Sequence, residues 1–293
     1  MTEPSSGVLL VDKPTGMSSH AVVGRVRRLA GTRKVGHAGT LDPMATGVLV
    51  LGINRGTRLL HYLVGADKEY TATVRLGVST TTDDAEGEVV TLTDASGVDE
   101  EQVRAATLPL TGAIDQVPSS VSAIKVDGQR AYARVRAGED VALAPRRVTV
   151  SRLDVLAARP AGEHLDVDVS VECSSGTYVR ALARDLGAAL GVGGHLTVLR
   201  RTRVGPFTLD EARGLDDLQP GLEPALLGLG EAAGRFLPQR VLTPDEADRA
   251  RHGVSPTPSA VGGPIALVDE SRALIAVAEN AGPRSQLRAV FVG

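Results

Sequence analysis

The stretch Gly36-His37-Ala38-Gly39-Thr40-Leu41-Asp42-Pro43-Met44-Ala45-Thr46-Gly47 contains three glycines and one proline. Glycines let a backbone approach a ligand closely, and Pro43 disfavours the helical conformation at Asp42. The stretch therefore predicts an irregular loop that holds Asp42 in a turn. On these features alone, a turn-forming or helix-capping aspartate is a better interpretation than a catalytic one, and His37 alone is better interpreted as a structural hydrogen-bonding residue.

A helix is predicted on the N-terminal side of this loop. The pair Ser18-Ser19 occupies a helix N-cap position, and the apolar residues that follow it fall on one face up to about Ala30. Gly31 is placed to end the helix.

Periodic patterns predict further elements downstream. Apolar and polar residues alternate at 70–76 and again at 165–173, which indicates two half-buried strands. At 178–190 the apolar residues recur every three or four positions, which indicates a second helix. Because strands and helices mix without regular βαβ spacing, the pattern favours an α+β fold over a doubly wound sheet.

The length and the amino-acid composition of the chain predict its division into domains. With 293 residues, 42% of them hydrophobic and 23% charged, the sequence fits one large domain or one domain plus a small appendage. Near residue 235 the composition changes, and a short helix at 245–251, capped by Thr243, precedes a β-rich end. We expect domains at 1–235 and 236–293, with a basic, thumb-like excursion at about 116–147.

The single cysteine and the N-terminus bear on cellular location. Cys173 has no second cysteine to pair with, which excludes an internal disulfide and cysteine-based zinc or iron–sulfur sites. The first residues lack the charged and apolar regions of a signal peptide. These features predict a cytoplasmic protein.

The charge distribution leaves nucleic acid open as a partner. The net charge of −3 argues against it, but residues 1–70 hold nine basic and five acidic residues, and arginines cluster at 146–147 and 200–203. Any one basic cluster alone is better explained as a solvated face, whereas together they are able to face phosphates. Residues 83–101 carry eight acidic residues and no basic one, which fits either a partner site or a solvated loop.

Four motifs follow one another along the chain: GVLLVDKPTGMSS at 7–19, the loop at 36–47, DKEY at 67–70 and CSSGTYVR at 173–180. In this order they resemble four motifs of the TruB-type pseudouridine synthases. The motifs of that family are its N-terminal motif, the motif around its catalytic aspartate, its active-site tyrosine segment and its S-x-G-T-Y-x-R motif.

The resemblance implies a fold, a reaction and a partner. The fold would be α+β, with a mixed, largely antiparallel sheet and a small C-terminal β-rich PUA-like domain at 236–293. The reaction would be isomerisation of uridine to pseudouridine in the T-loop of tRNA, at the position conventionally numbered 55, without cofactor or metal. The protein would bind the T-arm and T-loop as a monomer, with no membrane and no obligatory protein partner.

Six residues match functional positions of the family. Asp42 matches the essential catalytic aspartate, which adds to C1′ as a nucleophile or removes the C2′ proton, and the sequence leaves both routes open. Five residues are expected to bind substrate: His37, Tyr70, Tyr178, Arg180 and Leu199. Among them, Tyr70 matches the stacking tyrosine and Arg180 the arginine partner of the aspartate.

Two other functions compete with this reading. A non-catalytic tRNA-binding or tRNA-folding factor would use the same scaffold as a clamp, but it has no need of the aspartate. A subunit of an RNA-guided synthase is disfavoured by the compact size of the chain. Other catalytic motifs, such as G-x-x-x-x-G-K-[ST], H-E-x-x-H and G-x-S-x-G, do not occur in the sequence.

Overall fold

The computed structural model describes residues 5–119, 125–126, 129–130, 143–219, 221–258, 260–281 and 284–291. The strands are β1 Gly7–Lys13, β2 Val35–His37, β3 Thr46–Ile53, β4 Lys68–Leu76, β5 Val78–Thr80, β6 Val89–Leu92, β7 Gly112–Gln116, β8 Lys125–Val126, β9 Gln129–Arg130, β10 Arg146–Ala161, β11 His164–Cys173, β12 Gly194–Val204, β13 Phe207–Thr208, β14 Arg213–Gly214, β15 Leu226–Leu227, β16 Gln239–Val241, β17 Pro264–Val268, β18 Leu274–Ala281 and β19 Arg284–Val290. The helices are α1 Ser19–Leu29, α2 Leu60–Leu63, α3 Glu100–Thr107, α4 Val179–Ala189, α5 Leu229–Gly234 and α6 Pro244–Arg251.

The chain forms two compact units. The first unit comprises Met1–Pro43, Gly47–Val64 and Gly205–Gly293, and the second comprises Met44–Thr46 and Gly65–Val204. Each unit is described separately below.

In the first unit, α1 packs on a small sheet in which β1 lies between β3 and β14. β1 is antiparallel to β3 and parallel to β14. α1 begins where predicted, because the Ser18 side chain accepts a hydrogen bond from the backbone N–H of Ala21. Its buried residues Val22, Val23 and Val26 join the core formed by the sheet. The predicted helix is therefore confirmed.

The C-terminal part of the first unit is a separate four-stranded sheet. The strand order is β16-β17-β18-β19, with one parallel pair, β16 and β17. α6 covers this sheet and buries Ala247 and Ala250 in its core. The Thr243 cap and the helix that follows it agree with the sequence prediction.

In the second unit, five antiparallel strands form a sheet in the order β12-β4-β11-β10-β7. The strict alternation in β11 puts its valines on the buried face, whereas Asp166 and Asp168 on the other face bind Arg75 and Arg159. α4 packs against β12 and buries Leu182 and Leu186. Both predicted strands and the second predicted helix are confirmed.

These elements confirm the α+β fold with a largely antiparallel mixed sheet. The predicted excursion at 116–147 lies mostly outside the described residues, apart from its two ends and the short strands β8 and β9. In the described part of the chain, no helix is long and apolar enough to cross a membrane.

Candidate active site

The Asp42 loop connects β2 and β3 in the first unit, and both neighbours of Asp42 are fixed by hydrogen bonds. Ser19 Oγ accepts from the N–H of Leu41 at 2.8 Å and donates to its carbonyl at 3.0 Å. The carbonyl of Pro43 accepts from the N–H of Gly16 at 2.9 Å. The N-terminal motif therefore holds the backbone on each side of the carboxylate.

Lys13 is the centre of this brace. Its side chain is fully buried, and its ammonium donates to the carbonyls of Pro14 at 2.9 Å, Met17 at 2.6 Å and Pro43 at 3.1 Å. A buried ammonium is tolerated only when such acceptors replace water. Lys13 thus fixes the Asp42 loop, a role that the sequence analysis did not assign to it.

Two glycines of the loop adopt backbone conformations that other residues disfavour. Gly39 has φ 92° and Gly47 has φ 101°, which are left-handed conformations that a side chain disfavours. His37 is half-buried at the end of β2, opposite Leu51 on β3, and Asp42 is also half-buried. The first unit thus contains two of the six predicted site residues.

The second unit brings Tyr70 and Leu199 together on neighbouring strands. In the pairing of β4 with β12, Leu199 lies opposite Ala72 and Arg201 lies opposite Tyr70. Opposite residues share one face of a sheet. Tyr70 and Leu199 are therefore diagonal neighbours on the same face, and both are buried. This placement agrees with a shared pocket wall.

Arg201 corrects the expectation that the cluster at 200–203 faces phosphates. Strand alternation places this side chain on the inner face, where it is fully buried. Arg203 is bound to Glu172 at 2.7 Å and Arg200 donates to Thr46 Oγ1 at 3.1 Å. Burial and repulsion by Arg201 also lower the pKa of Lys68, which lies on the same face.

Arg180, in the first turn of α4, forms a buried ion pair that the sequence analysis missed. Its guanidinium donates to Asp84 Oδ2 at 3.1 Å and to the carbonyl of Thr82 at 2.9 Å, and the two side chains of the pair are 5% and 4% exposed. Asp84 Oδ1 accepts from Thr82 Oγ1 at 2.5 Å and from the N–H of Glu86 at 3.1 Å. Asp84 therefore orients Arg180.

Asp84 lies in the acidic stretch at 83–101. The sequence predicts a partner site or a solvated loop for this stretch as a whole, whereas Asp84 is buried. The expected pairing of Arg180 with Asp42 involves two different units and stays a prediction. Tyr178 is half-buried and directly precedes α4.

Two family profiles and several bacterial proteins match this chain. The profile of the TruB family pseudouridylate synthase N-terminal domain matches residues 27–179, and that of the tRNA pseudouridylate synthase B C-terminal domain matches residues 180–226. A tRNA pseudouridine synthase B of Arthrobacter sp. (strain FB24) is 60% identical over 297 residues, covering 98% of this chain and 96% of the relative. That of Cutibacterium acnes (strain DSM 16379 / KPA171202) is 62% identical over 253 residues, covering 86% of each chain.

Solved structures show the same fold at lower identity. A chain in the crystal structure of a Cbf5-Nop10-Gar1 complex has a TM-score of 0.74 and 26% identity, covering 98% of this chain and 85% of its own length. A chain in an H/ACA RNP bound to a substrate RNA containing 2′-deoxyuridine has a TM-score of 0.73 and 25% identity, with the same coverage. Sequence identity over nearly the whole length is much higher for the bacterial enzymes than for these chains. The chain described here belongs to the TruB family of pseudouridylate synthases.

Proposed function

We propose that this chain isomerises uridine to pseudouridine in tRNA, at position 55 of the T-loop, with Asp42 as the essential carboxylate. The observation that carries the proposal is the braced Asp42 loop, in which Lys13 and Ser19 fix the backbone on both sides of the carboxylate. A clamp that only binds tRNA has no use for this arrangement. The identity to enzymes named tRNA pseudouridine synthase B supports the same conclusion.

The reaction requires rearrangement without net oxidation or hydrolysis. The N1–C1′ bond breaks, the detached uracil rotates, and a C5–C1′ bond forms. A proton leaves C5 and N1 gains one, so the composition of the nucleoside is unchanged. Asp42 serves either as the nucleophile at C1′ or as the base at C2′, and both routes need its ionised form.

The other site residues have binding roles in this proposal. Tyr70 stacks on the flipped uracil, and Tyr178 and Leu199 complete the apolar pocket. Arg180 orients the aspartate, and His37 binds substrate rather than acting as general base. Flipping the target base costs a few kcal/mol, which contacts elsewhere on the tRNA must offset.

Domain roles are a further part of the proposal. Residues 1–235 form the catalytic domain and residues 236–293 a PUA-like domain that binds RNA. The separate four-stranded sheet and its own core support this division. We also propose that the chain acts in the cytoplasm, as a monomer and without an obligatory protein partner. Sedimentation of the purified, active enzyme tests whether it is a monomer without a partner.

The direct test is incubation of the protein with an unmodified tRNA transcript, followed by mapping of pseudouridine. We expect a single pseudouridine at position 55, and none in a transcript with cytidine at that position. Modification only at another uridine would overturn the assigned position. Tight binding without any product would favour the non-catalytic alternative.

Substitution of Tyr70 tests its stacking role. Tyr70→Ala is expected to lose about 1–3 kcal/mol of binding to the flipped base, because the aromatic face is gone. Tyr70→Phe retains that face and should bind tRNA almost normally. We expect Tyr70→Phe to react more slowly, since a phenol hydroxyl beside the base is able to take or relay the C5 proton.

The measurements are tRNA affinity and single-turnover rate for both variants. Tyr62→Ala, which removes a tyrosine of α2 outside the proposed site, is the control and should behave as wild type. Wild-type rates in Tyr70→Ala would show that this ring only fills the core.

Binding of tRNA is expected to depend on salt, in spite of the acidic net charge. The logarithm of affinity should fall with the logarithm of salt concentration by about 0.7 per phosphate contact on single-stranded RNA. Arg146 is exposed at the start of β10. If it contacts one phosphate, Arg146→Gln should reduce the magnitude of this slope by about 0.7. Arg104→Gln, on α3 and paired with Glu100, is the matched control. A dissociation constant that does not change with salt would contradict the expectation.

A further inference from the structure

The side chain of Gln116, at the end of β7, is hydrogen-bonded to the backbone of Tyr178. Gln116 Nε2 donates to the Tyr178 carbonyl at 3.1 Å, and Gln116 Oε1 accepts from the Tyr178 N–H at 2.8 Å. Because the backbone N–H only donates and the carbonyl only accepts, these contacts determine which way the carboxamide points. Gln116 is 2% exposed, so the side chain has no freedom to turn to water.

Tyr178 is the N-cap residue of α4. Its backbone is extended, at φ −104° and ψ 107°, and its side chain makes no capping hydrogen bond. Its carbonyl also accepts the first helical hydrogen bond, from Leu182 at 3.2 Å. The first turn of α4, which includes Arg180, thus starts at the residue that Gln116 holds.

The residues after Gln116 are fastened to the same region. The carbonyl of Val117 accepts from Arg184 on α4 at 2.8 Å. Ser119, which is fully buried, donates to the carboxylate of Asp83, and this carboxylate also accepts from Arg184 at 3.3 Å. The segment 116–119 is therefore fixed both to α4 and to the turn that contains Asp84.

Asp83 adds to the rigidity of this segment. It has φ 59°, a left-handed conformation that is uncommon outside glycine and persists when its surroundings fix it. Burial raises the pKa of its carboxyl, which the bonds from Ser119 and Arg184 oppose. The turn at 82–84 is thus held in place on the side of segment 116–119.

We infer that Gln116 is a positioning residue of the isomerisation, which sets the Tyr178 ring through its backbone. The inference rests on the proposed function, since it requires that Tyr178 contacts the target nucleotide. A shift of the N-cap residue moves its ring, whereas Arg180 is held separately by Asp84 and the Thr82 carbonyl. Misplacement of a site group by about 1 Å costs roughly 100-fold in rate, so the two hydrogen bonds are sufficient to control turnover.

A double-mutant cycle tests the inference. Gln116→Met keeps the length of the side chain and removes both hydrogen bonds. We expect it to lower the single-turnover rate by about 10- to 100-fold, with the tRNA dissociation constant within about 3-fold of wild type. In a Tyr178→Ala background, where no ring remains to be positioned, the same change should lower the rate by less than about 3-fold.

Gln116→Asn provides a second cycle that is read in the same way, and it applies also where Gln116→Met fails to fold. The carboxamide is kept but is one methylene shorter, so it cannot make both hydrogen bonds to the Tyr178 backbone. Thr107→Val is the matched control, because Thr107 is another buried polar residue of the second unit. The substitution removes the hydrogen bond that its hydroxyl donates to the carbonyl of Arg104 at 2.8 Å. We expect this control to keep the wild-type rate.

Equal rate losses from the Gln116 change in both backgrounds would overturn the inference, because Gln116 would then act through the fold in general. A wild-type rate in Tyr178→Ala would also overturn the inference, because the ring would then have no role in the reaction. The proposed function would stay intact in that case, provided that product formation is still lost in Asp42→Asn. Failure of the proposed function differs from both outcomes, since the unchanged protein would then form no pseudouridine.

Discussion

Asp42→Asn is expected to abolish pseudouridine formation, with a rate loss of about 10⁴-fold or more. The amide has nearly the shape of the carboxylate but has no charge, so it neither attacks C1′ nor removes the C2′ proton. The hydrogen bonds from Lys13 and Ser19 to the backbone of Pro43 and Leu41 involve groups that the substitution does not change. Affinity for tRNA should therefore stay within a few-fold of wild type.

The measurement is the single-turnover rate on a tRNA transcript, with the binding constant determined in parallel. Asp216→Asn is the matched control, since Asp216 lies in the same unit, is almost fully exposed and pairs with Arg25 at 2.8 Å. It should react as wild type. Appreciable turnover by Asp42→Asn would remove the basis of the proposed mechanism.

The elements around the site were predictable from sequence, because their signals are local. Caps and periodicity determine α1 and α4, and alternation determines β4 and β11. The observed elements differ from the predicted ranges by at most two residues at each end. Gly39 and Gly47 adopt left-handed conformations, which explains why glycine occurs at these two positions of the Asp42 loop.

Pairings between distant residues were not predictable in this way. Arg180 and Asp84 are 96 positions apart, and Lys13 and Pro43 are 30 apart, so no local pattern links them. Arg201 is a similar case, because register shifts between Leu196 and Val198 and between Arg201 and Arg203 interrupt the alternation of β12. A cluster of arginines in a strand is nevertheless not one surface, since neighbouring strand residues point to opposite faces.

Asp84→Asn is the second change with a large expected effect. Arg180 is buried, and Asp84→Asn removes the carboxylate charge that its guanidinium contacts directly. Breaking a buried ion pair in this way costs about 3–5 kcal/mol. The loss of stability should be accompanied by a fall in single-turnover rate of about 100-fold, since the orientation of Arg180 is lost. Asp166→Asn is the control, because its bond to Arg75 lies on a partly exposed face and should contribute less than about 1 kcal/mol.

The double variant Asp84→Asn/Arg180→Met separates stability from catalysis. When both charges of the pair are removed, no buried guanidinium is left without the carboxylate it pairs with in wild type, so the free energy of unfolding should recover toward the wild-type value. The rate should not recover, because the proposed partner of Asp42 is absent. The measurements are urea unfolding and single-turnover rates of Asp84→Asn, Asp166→Asn and the double variant. A double variant no more stable than Asp84→Asn would show that the pair does not stabilise through charge, and full activity of Asp84→Asn would show that Arg180 needs no orientation by Asp84.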